Sequence, residues 1–119
     1  MPYNIIKEPH GSYKKFFGHV TGAEFLQSVF ENHGDPRFDQ MQYTINDLLE
    51  IESHAITLKS FEIAVTRGTQ VAERNPTRKI AVVTADPLIA QHVGEYASRG
   101  HQRIEVFERL EDARHWAHA

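Results

Sequence analysis

The sequence has no cysteine among its 119 residues, which removes disulfides, thiolate metal sites and cysteine nucleophiles from consideration. A core built from this chain must rest on packing alone. It also has no stretch approaching the roughly 20 apolar residues that a helix needs to cross a bilayer. The opening segment, Met1 to Glu8, lacks the apolar run and small-residue cleavage site of a secretory signal. A soluble, cytoplasmic protein is expected. Excess basic charge is missing as well, since a net charge of −3 leaves no broad electropositive face, and nucleic acid is not expected as a partner. The one basic cluster, Arg74, Arg78 and Lys79 around Asn75-Pro76, falls on a turn signal and reads as solvated.

Several motifs of catalysis are absent too. There is no glycine-rich phosphate loop, no G-x-S-x-G elbow and no H-E-x-x-H pair, so nucleotide-binding, hydrolase and metalloprotease readings lack their physical minimum, and no cofactor is expected. Histidine is plentiful, with eight in the chain. Only His115 and His118 have helical ligand spacing, with Asp112 one turn earlier, and they lie at the chain's end with no further ligand tied to them. No metal site is assigned.

What is present is a regular alternation of elements in a length suited to one domain, residues 1–119. Tyr3 to Lys7 and Tyr13 to Val20 flank Pro9-His10-Gly11-Ser12 and read as an antiparallel hairpin. Thr21 and Glu24 form a capping box ahead of Phe25, Leu26, Val29 and Phe30, which predicts a helix from Gly22 to Asn32. Asn32-His33-Gly34, able to adopt a left-handed stop, and Asp35-Pro36 end it. A strand follows from Gln42 to Leu49, with Tyr43, Ile45, Asp47 and Leu49 on one face and Thr44 and Asn46 on the other.

Thr57 reads as the N-cap of a helix from Leu58 to Arg74 with a stripe at Leu58, Phe61, Val65, Gly68 and Ala72. Ile80 to Val83 is a continuous apolar run and the candidate for the middle of the sheet. Asp86-Pro87 starts a helix that Gly100 closes. Ile104 to Phe107 is a short strand, and Leu110, Ala113, Trp116 and Ala117 lie at helical spacing, with the tryptophan expected in the core. The order ββαβαβαβα implies an α/β fold: a mixed, mostly parallel open sheet with an N-terminal antiparallel hairpin and four helices.

Gly18-His19-Val20-Thr21-Gly22 with Glu24-Phe25, Asp35-Pro36-Arg37-Phe38-Asp39, Asp47-Leu48, Ala81-Val82-Val83, and Val106-Phe107 ahead of Leu110-Glu111-Asp112-Ala113 and Trp116 together resemble the SpoIIAA-like proteins. These are grouped with STAS domains and CRAL-TRIO-type lipid-transfer domains. The resemblance implies a non-catalytic regulatory or binding module acting through a protein partner. In the better understood relatives a Ser or Thr before the helix after the Asp-Leu strand is a phosphorylation switch. Ser53, Thr57 and Ser60 lie in that neighbourhood, but His54-Ala55-Ile56-Thr57 stands where those relatives carry Asp and Ser, leaving Thr57 as the closest match and the candidate phosphoacceptor. The resemblance places the partner contact between Ser53 and Phe61, where Lys59 and Glu62 are expected to be exposed.

A second reading is binding of a lipid or small apolar ligand. Phe16, Phe17, Phe25, Phe30, Phe38, Tyr43 and Phe61 are first of all core candidates, so an inter-subunit groove in a homodimer suits such a ligand better than an internal cavity. A third reading is an enzyme. The carboxyl-end rim of an open α/β sheet is where ligands usually bind. Here it comprises Asn46, Asp47, Glu52, Ser53 and His54 from one loop and Thr84 and Asp86 from the next, a set able to pair a histidine with a carboxylate.

Overall fold

The structure is a computed structural model that describes residues 2–98 and 103–119. Strands β1 (Tyr3–Glu8) and β2 (Gly11–Thr21) pair antiparallel, with Glu8 opposite Gly11, so only Pro9 and His10 turn the chain. Gly11 is required by a close approach, because a Cβ there would run into the carbonyl oxygen and ring of Tyr43 on the next strand.

Strand β2 leads straight into helix α1 (Gly22–His33) through the expected capping box. Glu24 N donates to Thr21 Oγ1 at 3.1 Å, and Thr21 N donates to Glu24 Oε1 at 3.0 Å. The helix ends at Gly34 with φ −84°, so no left-handed stop forms. Asn32 is instead drawn inward, where its side chain bonds Ser12 and Thr44. Positive φ occurs, among the described residues, at Gly18 alone.

Strand β3 (Tyr43–Ala55) is longer than the expected Gln42 to Leu49, because β2 keeps pairing with it as far as Thr21 opposite Ala55. A register shift between Lys15 and Phe17 accompanies a change in burial: Leu48 is buried, whereas Leu49 is 41% exposed. Helix α2 (Leu58–Val71) tightens into a 3₁₀ turn at Ala72–Arg74. Its buried stripe runs through Phe61, Gly68 and Val71, and Leu58 stands exposed rather than at its head. Strand β4 (Lys79–Val83), helix α3 (Pro87–Ala97), strand β5 (Arg103–Phe107) and helix α4 (Leu110–Ala117) complete the order. The expected closure of α3 at Gly100 lies outside the described residues.

The sheet runs β1-β2-β3-β4-β5, parallel from β2 onward, so its middle is β3 rather than β4. Strands laid down in sequential order by crossovers of one hand put every crossover helix on the same face. Accordingly Phe16, Phe25, Leu48, Phe61, Val82, Ile89 and Val93 form the main core beneath α1, α2 and α3. On the opposite face α4 covers a smaller core of Tyr13, Tyr43, Ile45, Ala81 and Val83 with its Ala113 and Ala117. Trp116 is half-buried at the edge of that core, 5.6 Å from the Phe107 ring, not inside it. Phe17 and Phe30 are exposed, so the aromatics are not all spent on the core.

Candidate functional site

Helices α1, α2 and α3 do not close completely on the sheet. A cavity of about 90 Å³ remains between them, walled on one side by Phe25, Leu48, Phe61, Val82 and Val93. Toward the amino ends of β3 and β4 the lining turns polar: Lys14, Asn32, His33, Thr44, Asn46 and Arg78. All six are buried, Lys14 to 2% exposure and Arg78 to 7%.

A connected set of hydrogen bonds holds this polar end. Ser28 Oγ donates to the Phe25 carbonyl at 2.7 Å and accepts from Lys14 Nζ at 3.2 Å. Thr44 Oγ1 accepts from Arg78 Nη1 at 2.6 Å and from Asn32 Nδ2 at 3.1 Å, while Ser12 Oγ donates to Asn32 Oδ1 at 2.7 Å. The Arg78 guanidinium also lies over the Phe38 ring at 4.6 Å. Every acceptor here is neutral. None of the ion pairs among the described residues involves Lys14 or Arg78.

Burial, and then the neighbouring Arg78 charge, pulls Lys14 down from 10.5 to about 7, with Glu31 partly offsetting them. Burial holds Arg78 at about 10. His33 falls from 6.5 to about 3 through burial and the positive charges of Arg78 and Lys14, so its imidazole is neutral at ordinary pH. Its Nδ1 is buried and has no hydrogen-bond partner among the described residues.

Reading the sequence missed this cluster, and Arg78, expected to be solvated, is a correction. Two signals bear on it. Ser12, Lys14 and Phe16 alternate along β2, so the spacing that puts Phe16 inward also puts Lys14 inward. Arg78 directly precedes an apolar central strand, where β4 carries it under the end of α1.

The expected rim does not form one site. Glu52, Ser53 and His54 belong to the β3 extension and not to a loop. His54 Nδ1 accepts from Ile56 N at 3.1 Å, which leaves the ring proton on Nε2 to be donated to Asp86 Oδ2 at 3.0 Å. Asp86 Oδ1 caps α3 by accepting from Leu88 N and Ile89 N, and Asp86 N donates to Thr84 Oγ1. His54, Thr84 and Asp86 are therefore brought together as a clasp between the end of β3 and the start of α3, with both imidazole nitrogens engaged.

The other rim residues lie apart. Ser53 Oγ meets His19 Nδ1 at 2.7 Å on the surface, and Glu52 is exposed. Asn46 faces the cavity and donates to the Ala81 carbonyl at 3.2 Å. Asp47 accepts from Tyr13 Oη at 2.5 Å, Tyr13 belonging to the α4-side core, and from Leu49 N at 3.0 Å. Thr57 is exposed at the start of α2, its Oγ1 accepting from Ser60 N at 3.2 Å. Among the described residues no group of three or more histidines and carboxylates could hold a metal ion, and His118 instead packs edge-on against Tyr43 at 4.8 Å.

No protein-family model and no curated protein matches the chain in sequence. In structure it is similar to an uncharacterised DUF3478-family protein with a SpoIIAA-like fold from Shewanella loihica PV-4. The TM-score is 0.59 and the identity 12%, over 97% of this chain and 91% of that one. The fold is SpoIIAA-like. The mixed five-stranded sheet with its leading hairpin and four helices bears out the architecture expected from the order of elements. At this identity the likeness carries the fold alone. Among the described residues, no helix of this SpoIIAA-like fold is long and apolar enough to cross a membrane.

Proposed function

We propose that this SpoIIAA-like chain is a non-catalytic regulatory or binding module whose ligand is a small molecule held between the sheet and helices α1, α2 and α3. The observation that supports this most is the cavity itself. Protein interiors are close-packed, and a partly open pocket of about 90 Å³ with an apolar wall and a polar end departs from that packing where a compact molecule could enter. The volume is well below the roughly 300 Å³ of a typical ligand pocket, so a whole lipid is too large and a compact molecule fits. Against an enzymatic role, His54, the rim histidine beside a carboxylate, has neither nitrogen free to take a proton from a substrate.

Methyl NMR of the labelled protein under xenon tests the pocket directly. Shifts should concentrate on Leu48, Ala64, Val82 and Val93. A spectrum unchanged at those methyls would remove the reading.

A second reading, contact with a protein partner through the start of α2, is favoured by exposed apolar side chains there. Leu58 is 45% and Ile63 38% exposed, and Phe30 of α1 flanks the same shallow groove as Lys59, Glu62 and Ile63. Phosphorylation of Thr57, exposed at that helix start, would add charge beside such a surface and regulate it. Reversing the charges at Lys59 and Glu62 should weaken capture of that partner, and full retention would count against the placement.

A further inference from the structure

We infer that the pocket is a carboxylate site: it takes a short-chain organic anion whose head group sits with the Lys14 ammonium and the Arg78 guanidinium and whose apolar tail lies among Phe25, Leu48 and Phe61. The inference rests on the pocket being a ligand site, as proposed above, and adds the chemical class of the ligand.

The first step is a missing counter-charge. A buried cation is tolerated when it is paired, because removing a charge from water costs several kcal/mol per ion even after relaxation. Here two cations, 2% and 7% exposed, face one cavity, and their hydrogen-bond partners among the described residues are the hydroxyls of Ser28 and Thr44. The carboxyl end of α1 supplies some negative potential. The Glu31 carboxylate acts on Lys14 as well but makes no ion pair with it, and its pull is outweighed by burial and the Arg78 charge. The third basic side chain in the lining, His33, is 5% exposed and has its Nδ1 unpartnered. An anion entering from solvent supplies the bonded counter-charge that neither cation has among the described residues.

The second step is the choice of anion. A guanidinium presents paired donors that match the two oxygens of a carboxylate, and an ammonium adds a third donor from another direction. A fully hydrated inorganic anion would leave the apolar wall uncovered. The same wall, continuous with the cationic end, is suited to a hydrocarbon tail, which is stabilised by each methylene it removes from water. Length is limited by volume, since about 90 Å³ is smaller than the roughly 150 Å³ apolar cavity known to accept benzene. A carboxylate of about four carbons is the match.

Lys14 also couples binding to protons. The titratable groups around Lys14 are Arg78, which keeps its charge, His33, which is neutral, and the Glu31 carboxylate of α1. The Lys14 ammonium is present below about pH 7 and lost above it, so the anion should bind more weakly as the pH rises.

The experiment is calorimetric titration of the whole protein at pH 6.5, in a buffer free of carboxylate and phosphate. Butyrate is compared with its neutral analogue butyramide, with butylammonium and with chloride. Butyrate should bind at least about tenfold more tightly than butyramide, and butylammonium should not bind. Lys14→Met and Arg78→Gln, each checked for a native NMR spectrum, should each weaken butyrate about tenfold or more and leave butyramide unchanged. Should Arg78→Gln fail to fold, Lys14→Met alone decides, because methionine fills the same space without charge.

Butyrate binding no better than butyramide, or equally well to Lys14→Met, overturns the carboxylate assignment. The pocket survives in that case if butyramide still shifts the Leu48 and Val82 methyls. Chloride binding as tightly as butyrate overturns the tail and leaves only a small-anion site. If none of the four probes binds and xenon shifts nothing, the pocket and the carboxylate fall together.

Discussion

Lys14 and Arg78 reach one buried polar cluster from opposite sides of β3, the ammonium bonding Ser28 Oγ at 3.2 Å and the guanidinium bonding Thr44 Oγ1 at 2.6 Å. Two like charges on the walls of one cavity are a standing cost to the empty protein, and that cost has a measurable pH signature.

Below about pH 7 Lys14 is protonated in both the folded and unfolded chain, so its buried charge counts in full. Between about 7 and 10.5 only the unfolded chain keeps the proton, unfolding takes one up, and stability therefore rises with pH. Above 10 the trend reverses, because Tyr3 and Tyr43, raised from 10.0 to about 12 chiefly by burial, ionise first in the unfolded chain. Urea titrations from pH 6 to 11 should show a maximum between about 9 and 10. Lys14→Met should flatten the rise from 7 to 10 and be more stable than the parent at pH 6, and persistence of the slope in that variant would show that Lys14 is not its source.

His33 dominates a different window. With its folded value lowered from 6.5 to about 3, the unfolded chain alone takes up a proton as the pH falls through 6.5, so folding stability is complete above 6.5 and declines below it. Carboxylates held low in the fold, such as Glu8 by its hydrogen bond from Arg114, matter at lower pH, from their ordinary 4.5 downward. The interval from pH 6.5 to 5 thus reports His33. His33→Phe, which keeps an aromatic against Phe38, should lose most of the slope there, as followed by chemical denaturation at half-unit steps.

Which features were legible in the sequence follows from how local their physics is. Thr21 with Glu24 and Asp86 with Pro87 are contained in a few residues, and both caps form as the spacing indicates. The β3 extension depends on a register shift between Lys15 and Phe17, which no window around Leu49 contains, and that is why the local pattern places Glu52, Ser53 and His54 in a loop. The cationic cluster joins β2, the end of α1, β3 and the residue before β4. Lys14 alone was accessible, through its alternation with Ser12 and Phe16. Arg78 becomes part of a site only once the crossover lays β4 beside β3.

The clasp at the other end of the sheet offers a stability test free of the pocket. Asp86 caps α3 through Oδ1, which accepts from Leu88 N and Ile89 N, and accepts from His54 through Oδ2, so Asp86→Ala removes all three bonds. A lost N-cap costs about 1 kcal/mol and up to about 2 kcal/mol. Asp86→Asn retains a capping oxygen and should cost less. Urea denaturation at pH 7 ranks the two, and equal losses would show that the His54 contact, not the cap, carries the effect.

One substitution at two glycines of β2 separates a steric cost from a conformational one. At Gly11 a methyl group would meet the carbonyl oxygen of Tyr43, a backbone atom within the β2–β3 pairing that cannot swing aside. Gly11→Ala should therefore force the two strands apart and cost about 3 kcal/mol, toward the upper end of what overpacking produces. Gly18 sits in open space, with nothing within 4 Å of the added carbon, but at φ 64°, where an L side chain costs about 1 to 2 kcal/mol. Gly18→Asn should recover part of that loss, since asparagine tolerates the left-handed region, whereas Gly11→Asn should be worse than Gly11→Ala. Denaturation midpoints of the four variants decide the matter: recovery by asparagine at Gly11, or none at Gly18, would contradict the assignment of strain to backbone at one site and to contact at the other.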